Sequence, residues 1–187
     1  IRPHKKGFED YRGYAGKIES GVFKVGDKIK VLPSGFSSII TKISIGEKDI
    51  QEAFCPMNVS ITIEDELDIS RGDMIVKENN PPMVSQELDV LVTWLNESPL
   101  EKRKKVLIKH TTNETIALVD EIIYELDINT LHKNERVDNL LLNSIGRIKI
   151  KTARPIIFDS YVKNRTTGSL IFIDPYTNTT LGAGLIR

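Results

Sequence analysis

The stretch that decides the fold runs from Tyr11 to Gly35 and reads YRGYAGKIESGVFKVGDKIKVLPSG. Glycines stand at Gly21 and in the pair Gly26-Asp27, between short segments that contain β-branched residues. Glycine supplies the positive φ angles and close backbone approach that tight turns need. The segment Ile29-Lys30-Val31 alternates apolar and polar residues, as a strand with one buried face does. The stretch therefore predicts three short strands joined by two turns.

The same period-two pattern recurs along the chain, whereas no long stretch has a convincing helical period. Clean alternation is found at Val59–Ile63, Ile43–Ile45 and Ile148–Ile150. Further turn signals lie at 33–35 and at Arg71-Gly72-Asp73, which we interpret as a turn. We expect an all-β protein, with at most one helical turn between Glu135 and Ile145.

The clearest break in the pattern is the polar, proline-rich segment Glu78–Pro82. Two prolines cannot continue a ladder in a central strand, so we place a linker here and expect two domains, residues 1–82 and 83–187. Each half has enough strands to close a small antiparallel barrel of about six strands, which removes exposed sheet edges. The strands expected in the second half are Leu88–Trp94, Val106–Lys109, Thr115–Ile128, Arg147–Lys151, Ser169–Ile173 and Leu181–Ile186.

The glycine-rich end, GSLIFIDPYTNTTLGAGLIR from Gly168 to Arg187, has two possible interpretations. A phosphate-binding loop needs glycines followed directly by a helix whose N-terminus faces the anion. The sequence after Gly184 leaves no room for that helix. We therefore expect Gly182 and Gly184 to lie in the strand that closes a sheet.

Composition argues against several classes of function. Lys and Arg together number 26, as do Asp and Glu, so the net charge is zero and gives no bulk electrostatic reason to bind nucleic acid or membrane. Cys55 is the single cysteine, which excludes an internal disulfide framework. No apolar run reaches the roughly 18 residues of a membrane span. We expect a cytoplasmic protein that contacts neither membrane nor nucleic acid.

The residue types that could carry chemistry do not form a recognisable site. The three histidines, His4, His110 and His132, lack ligand-like spacing, so we expect surface or partly buried side chains. The acidic run Glu64–Asp68 is interpreted as a turn between strands and not as a cation site. The sequence thus predicts no metal ligands.

Three other features have similarly plain interpretations. The basic run Glu101–Lys105 is expected to be a solvated loop, with phosphate contact as the alternative. Cys55 has no basic neighbour that would activate its thiol, so we expect a small packing residue. Trp94 is expected in a barrel core.

The spacing G-x-I-x-S-G-x-x-x-x-G-D-x-I-x-V-x-P within residues 16–33 resembles the start of the second domain of translation-factor-type GTPases. DISRGDMI at 68–75 matches the place where that barrel closes, and TTLGAGLI at 179–186 resembles the last strand of the third domain. Within this superfamily the chain is most similar to the large, GTP-binding subunits of bacterial sulfate adenylyltransferase. The resemblance is carried by five segments in order: DYRGYAGKIESG, KVLPSG, DELDISRGDMI, YELDINTL and GSLIFIDPYTNTTLGAG.

The resemblance implies a GTPase domain ahead of the two barrels and a separate small subunit that performs adenylyl transfer. This chain contains neither G-x-x-x-x-G-K-[ST] nor N-K-x-D, and we interpret the D-x-x-G match at 10–13 as coincidence. We therefore expect a fragment with no catalytic, cofactor-binding or metal-binding residues. GTP and Mg²⁺ are implied for the missing upstream domain, and the expected partners are that domain and the small subunit.

Two alternatives remain open. The same two barrels occur in translation elongation factors, where they help to hold aminoacyl-tRNA; the zero net charge and the missing basic stripe count against this hypothesis. A free-standing β-barrel interaction module is the other, and it requires that the gene start near Ile1.

Overall fold

The computed structural model describes residues 12–187, and the chain divides into two compact units between Pro81 and Pro82. Every regular element in the described residues is a β-strand, and all strand pairs are antiparallel. Residues 12–187 thus contain no helix that could cross a bilayer. The expected fold class, an all-β chain with two antiparallel barrels, is confirmed.

The first unit contains eight strands: β1 (Tyr14–Lys17), β2 (Val22–Lys24), β3 (Lys28–Leu32), β4 (Ser37–Ile45), β5 (Lys48–Ile50), β6 (Glu52–Phe54), β7 (Asn58–Ile63) and β8 (Met74–Lys77). The main sheet has the order β1-β7-β4-β3-β8, β5 pairs with β4, and β2 pairs with β6. A register shift between Ile40 and Lys42 lets the first half of β4 pair with β3 and its second half with β7. Such a bulge bends the strand and increases its twist, which curls the sheet around its core.

Alternate residues of the first unit's strands form that core. Val59, Ile61 and Ile63 are buried with Ile29 and Ile43, while the polar residues between them are less buried. The predicted alternation is confirmed at Val59–Ile63 and Ile29–Val31, but it is wrong at Ile43–Ile45, where Ser44 is 6% exposed and Ile45 is 41% exposed.

The second unit contains nine strands: β9 (Met83–Trp94), β10 (Leu100–Glu101), β11 (Lys105–His110), β12 (Asn113–Leu126), β13 (Lys133–Asn134), β14 (Asn139–Leu140), β15 (Ile145–Phe158), β16 (Ser169–Ile173) and β17 (Thr180–Ile186). Six of them follow the order β11-β16-β17-β9-β15-β12, and a further pairing of β11 with β12 closes the ring. Closure satisfies the backbone groups that an open sheet would leave at its edges.

Strand β15 shows how the second barrel separates its two faces. Ile148 and Ile150 are fully buried, whereas Arg147 and Lys149 point outward. The Arg147 Nε atom donates to Asp89 Oδ1 on β9 at 2.9 Å. This ion pair lies on the outer face of the barrel, where ion pairs contribute little to stability. The buried isoleucines, and not the charges, therefore hold the strand in register.

The segment between Glu135 and Ile145, where the sequence allowed at most one helical turn, contains no helix. Asn139 and Leu140 form β14, which pairs with β10, and Leu140 is fully buried in the core. The conformation of this segment is set by a strand about forty residues away in the sequence, and local sequence patterns do not indicate such contacts.

The predicted turn at Arg71-Gly72-Asp73 is confirmed. The Asp73 amide donates to the Ser70 carbonyl at 3.1 Å, and the Ser70 amide donates to Asp73 Oδ2 at 2.8 Å. Gly72 has a φ of 102°, which side chains rarely adopt.

The interpretation of Gly182 and Gly184 as residues of a closing strand is also confirmed. Both lie in β17 and are buried. A Cβ atom at Gly182 would lie 2.6 Å from the Thr93 carbonyl oxygen, and one at Gly184 would lie 2.6 Å from Val90 Cγ1. These glycines are needed because their neighbours leave no room for a side chain.

Candidate functional site

A groove of about 360 Å³ opens in the second barrel where β12 ends and β15 begins. It is lined by Glu125–Asn129, Asn134 and Leu142–Ser144. Small-molecule sites are typically 300–1,000 Å³, so this volume accommodates a few side chains of a ligand or partner.

The first wall is the turn that joins β12 to β13. The last residues of β12 pair with β13, Glu125 opposite Asn134. Asp127 then organises the turn: its Oδ1 accepts the amides of Asn129 at 2.8 Å and Thr130 at 3.1 Å. An aspartate that accepts amides two and three residues ahead is the usual way in which such turns are fixed.

The second wall is the tight turn before β15. The Asn143 amide donates to the Trp94 carbonyl at 2.8 Å, and the Trp94 amide donates to the Ser144 carbonyl at 2.9 Å. The Ser144 hydroxyl donates to Glu125 Oε1 at 2.5 Å, which ties this wall to the first. Hydrogen bonds therefore fix the positions of both walls of the groove.

The groove combines carboxylates with apolar side chains. The two backbone amides that Asp127 accepts lower the pKa of its carboxyl, so that it is ionised at neutral pH. Leu126, Ile128 and Leu142 provide the apolar part. Within residues 12–187 no group of three or more His, Cys, Asp or Glu side chains is arranged to hold a metal ion. The arrangement suits binding of a cationic and apolar group.

The histidines lie apart from this groove or at its margin. The expectation of a surface or partly buried side chain is wrong for His110, which is 1% exposed at the end of β11. Its Nε2 atom donates to the Thr167 carbonyl at 2.7 Å, and burial lowers the pKa of the imidazole. His132 is exposed next to the Asp127 turn, and His4 lies outside the described residues.

The basic run 101–105 is only partly the solvated loop that the sequence predicts. Lys102 and Arg103 are exposed, but Lys104 folds back over Trp94, with its Nζ atom 5.3 Å from the ring centroid. Lys104 Nζ also donates to the Pro99 carbonyl at 2.7 Å, and burial lowers the pKa of its ammonium group. Trp94 itself is fully buried, as expected. Trp94, which lies in β9, thus forms a cation–π contact with Lys104 that the pattern of charges in the sequence does not indicate.

Two further predictions can be compared with the structure. Cys55 is exposed, so the interpretation as a packing residue is wrong; its Sγ atom lies 3.3 Å from the Glu19 carbonyl oxygen. The acidic run from Glu64 follows β7 as an exposed turn, as predicted. The D-x-x-G match begins in residues that lie outside the described part of the chain.

The glycine-rich segment 182–184 does not fit a phosphate group. The glycine-rich candidate, 182–184, has no open backbone cradle, because Val90, Leu170 and Phe172 already fill the space in front of Gly184.

Comparison with known proteins places these barrels. Residues 87–187 match the family model described as GTP-eEF1A C-terminal domain-like. The bifunctional enzyme CysN/CysC of Mycobacterium tuberculosis is 43% identical over 187 residues, which is 100% of this chain and 30% of that protein. Sulfate adenylyltransferase subunit 1 of Aliarcobacter butzleri is 45% identical over 178 residues, which is 95% of this chain and 38% of that protein. The chain spans about a third of the length of these curated relatives. Their identity to this chain confirms the resemblance to this subunit family.

Solved structures agree at the level of fold. Sup35 complexed with GDP superposes with a TM-score of 0.84 at 17% identity, covering 94% of this chain and 45% of that chain. The apo form of translation elongation factor SelB from Methanococcus maripaludis superposes with a TM-score of 0.71 at 18% identity, covering 92% and 38%. These likenesses support translation-factor barrels as the fold.

Proposed function

We propose that this chain, which belongs to the GTP-eEF1A C-terminal domain-like family, forms the two-barrel part of the large subunit of a sulfate adenylyltransferase. The observation that carries the proposal is the 43% identity that extends over all 187 residues, and so over both barrels. Identity confined to one barrel would support only the fold.

The reaction proposed for the whole enzyme joins ATP and sulfate to give adenosine 5′-phosphosulfate and pyrophosphate, with GTP hydrolysis coupled to this unfavourable synthesis. We assign GTP and Mg²⁺ to a GTPase domain outside these 187 residues, because the chain has neither a phosphate loop nor a guanine-recognition motif. We assign adenylyl transfer to a separate small subunit, and place the complex in the cytoplasm.

In this proposal the barrels are a rigid frame that neither makes nor breaks a covalent bond. The closed ring of the second barrel and its buried core support that role, since such a unit moves as one body. Coupling then requires that the frame's contacts with the GTPase domain and the small subunit differ in free energy between nucleotide states.

The test is a pair of activity assays. The purified chain alone should neither hydrolyse GTP nor form adenosine 5′-phosphosulfate. Added in excess to the intact enzyme, it should slow adenosine 5′-phosphosulfate synthesis by competing for the small subunit. Turnover by the chain alone above a mock preparation would contradict the division of labour, and an unchanged rate at saturating chain would contradict the contact with the small subunit.

The elongation-factor alternative rests on fold likeness at 17–18% identity. It predicts that the chain protects the ester bond of aminoacyl-tRNA from hydrolysis. The proposal made here predicts no protection, because the chain has zero net charge and carries no basic stripe.

A further inference from the structure

The groove between Glu125 and Ser144 is joined to an exposed apolar surface. Ile128 is 63% exposed and Leu142 is 46% exposed, and both line the groove. Leu131 (70%) and Leu141 (58%) lie in the same two turns. Single exposed apolar residues are ordinary on protein surfaces, but several around one concave opening are typical of an interaction site.

The charge of the groove limits what can occupy it. Its lining includes the carboxylates of Glu125 and Asp127 and no lysine or arginine. The nearby Lys133 is directed elsewhere, with its Nζ atom 5.0 Å from the centroid of the Tyr124 ring. A nucleic acid or an anionic lipid would bring phosphates against these carboxylates, which costs free energy. A cationic group is the complementary one.

The two carboxylates are also held in place by this chain. Glu125 accepts the Ser144 hydroxyl through Oε1, and Asp127 accepts two amides through Oδ1. These hydrogen bonds fix the positions of both carboxylates at the groove. A site that is organised before binding loses less entropy when its partner arrives.

We propose that this groove is the docking site for a segment of the small subunit in which a lysine or arginine side chain stands next to an apolar side chain. The cation would bind between Glu125 and Asp127, and the apolar side chain would pack on Ile128 and Leu142. This inference rests on the proposed function, because it takes the small subunit as the partner, and it adds the surface and the chemistry of the contact.

Conservative variants separate the charge of the groove from its structure. Glu125→Gln and Asp127→Asn keep the oxygens that accept Ser144 and the turn amides, and remove both negative charges. The double variant should bind the purified small subunit more than about tenfold more weakly than the unaltered chain, and with less dependence on salt. The matched control is Glu87→Gln with Asp120→Asn, which neutralises two carboxylates that flank Lys151 outside the groove lining. The control should change the Kd by less than about twofold.

Photo-cross-linking identifies the docked segment. A benzophenone side chain in place of Leu142 should cross-link to a small-subunit peptide that contains Lys or Arg beside an apolar residue. The same group in place of Val162, which is 97% exposed and outside the groove lining, should not label that peptide. Melting temperatures of all variants are measured first, so that a folding defect is not mistaken for lost binding.

The outcomes are distinguishable. Suppose that the unaltered chain binds the small subunit and that the groove double variant binds it as tightly as the control double variant does, or that the labelled peptide contains no Lys or Arg. The docking inference is then overturned while the proposed function stands. If the unaltered chain does not bind the small subunit at all, both are overturned. If Mg²⁺ or Ca²⁺ alone raises the melting temperature and the groove double variant abolishes this shift, the groove is a cation site and the docking inference is again wrong.

Discussion

The substitution Gly184→Ala tests whether the glycine-rich end is a packed barrel strand. The added Cβ atom would lie 2.6 Å from Val90 Cγ1, 2.9 Å from Leu170 Cδ1 and 2.9 Å from Phe172 Cε2. Overpacking a core costs about 1–3 kcal/mol, and replacing glycine in the unfolded chain offsets about 0.4–1 kcal/mol of this. The mid-range values, about 2 and 0.7 kcal/mol, leave a net loss of about 1.3 kcal/mol, which lowers the melting temperature by roughly 5–10 °C for a domain near 100 residues.

Urea unfolding followed by tryptophan fluorescence measures this loss in the second unit alone. Trp94 is the single tryptophan of the chain, and its ring packs edge-to-face on Phe172 with centroids 6.4 Å apart. The matched control is Ala183→Val on the same strand, whose side chain is exposed and whose effect should stay within about 0.5 kcal/mol. Equal stability of Gly184→Ala and the unaltered chain would refute the packing argument.

Three further predictions concern single side chains. The pKa of His110 is lower in the native chain than in the unfolded chain, so the unfolded chain binds the extra proton first. The free energy of unfolding should therefore fall as pH drops through about 6.5, by at most about 1.4 kcal/mol per pH unit. Urea midpoints from pH 7.5 to 5 should show this slope, and His110→Gln, which can still donate to the Thr167 carbonyl, should reduce it. Lys104→Met removes the ammonium group from the face of Trp94 and should lower stability by about 0.5–2 kcal/mol in the same fluorescence assay, whereas an unchanged midpoint would mean that the contact contributes nothing. Cys55 should react with a thiol reagent in the native chain at a rate close to that of the unfolded chain, because it is exposed; protection until unfolding would contradict its placement.

Much of the fold can be predicted from the sequence because it follows from local rules. Alternation at Val59–Ile63 and Ile148–Ile150 places apolar residues on one face, and the structure buries those residues. The turn at Gly72 needs a positive φ that glycine adopts freely, so its position can also be read from the chain.

The candidate site could not be predicted because it depends on contacts between distant segments. Glu125 meets Ser144 only because the pairing of β12 with β15 extends as far as Leu126 opposite Ile145. The burial of His110 depends in the same way on a carbonyl 57 residues away. A polar residue at a strand end gives no sign of which loop will cover it, and tertiary pairing decides.

The most direct test of the central proposal is a calorimetric titration of this chain with the purified small subunit of sulfate adenylyltransferase from the same organism, beside a titration with aminoacyl-tRNA. The account predicts saturable binding of the small subunit and no heat of binding with aminoacyl-tRNA. Binding of aminoacyl-tRNA without binding of the small subunit would contradict it, and would make these barrels part of a translation factor.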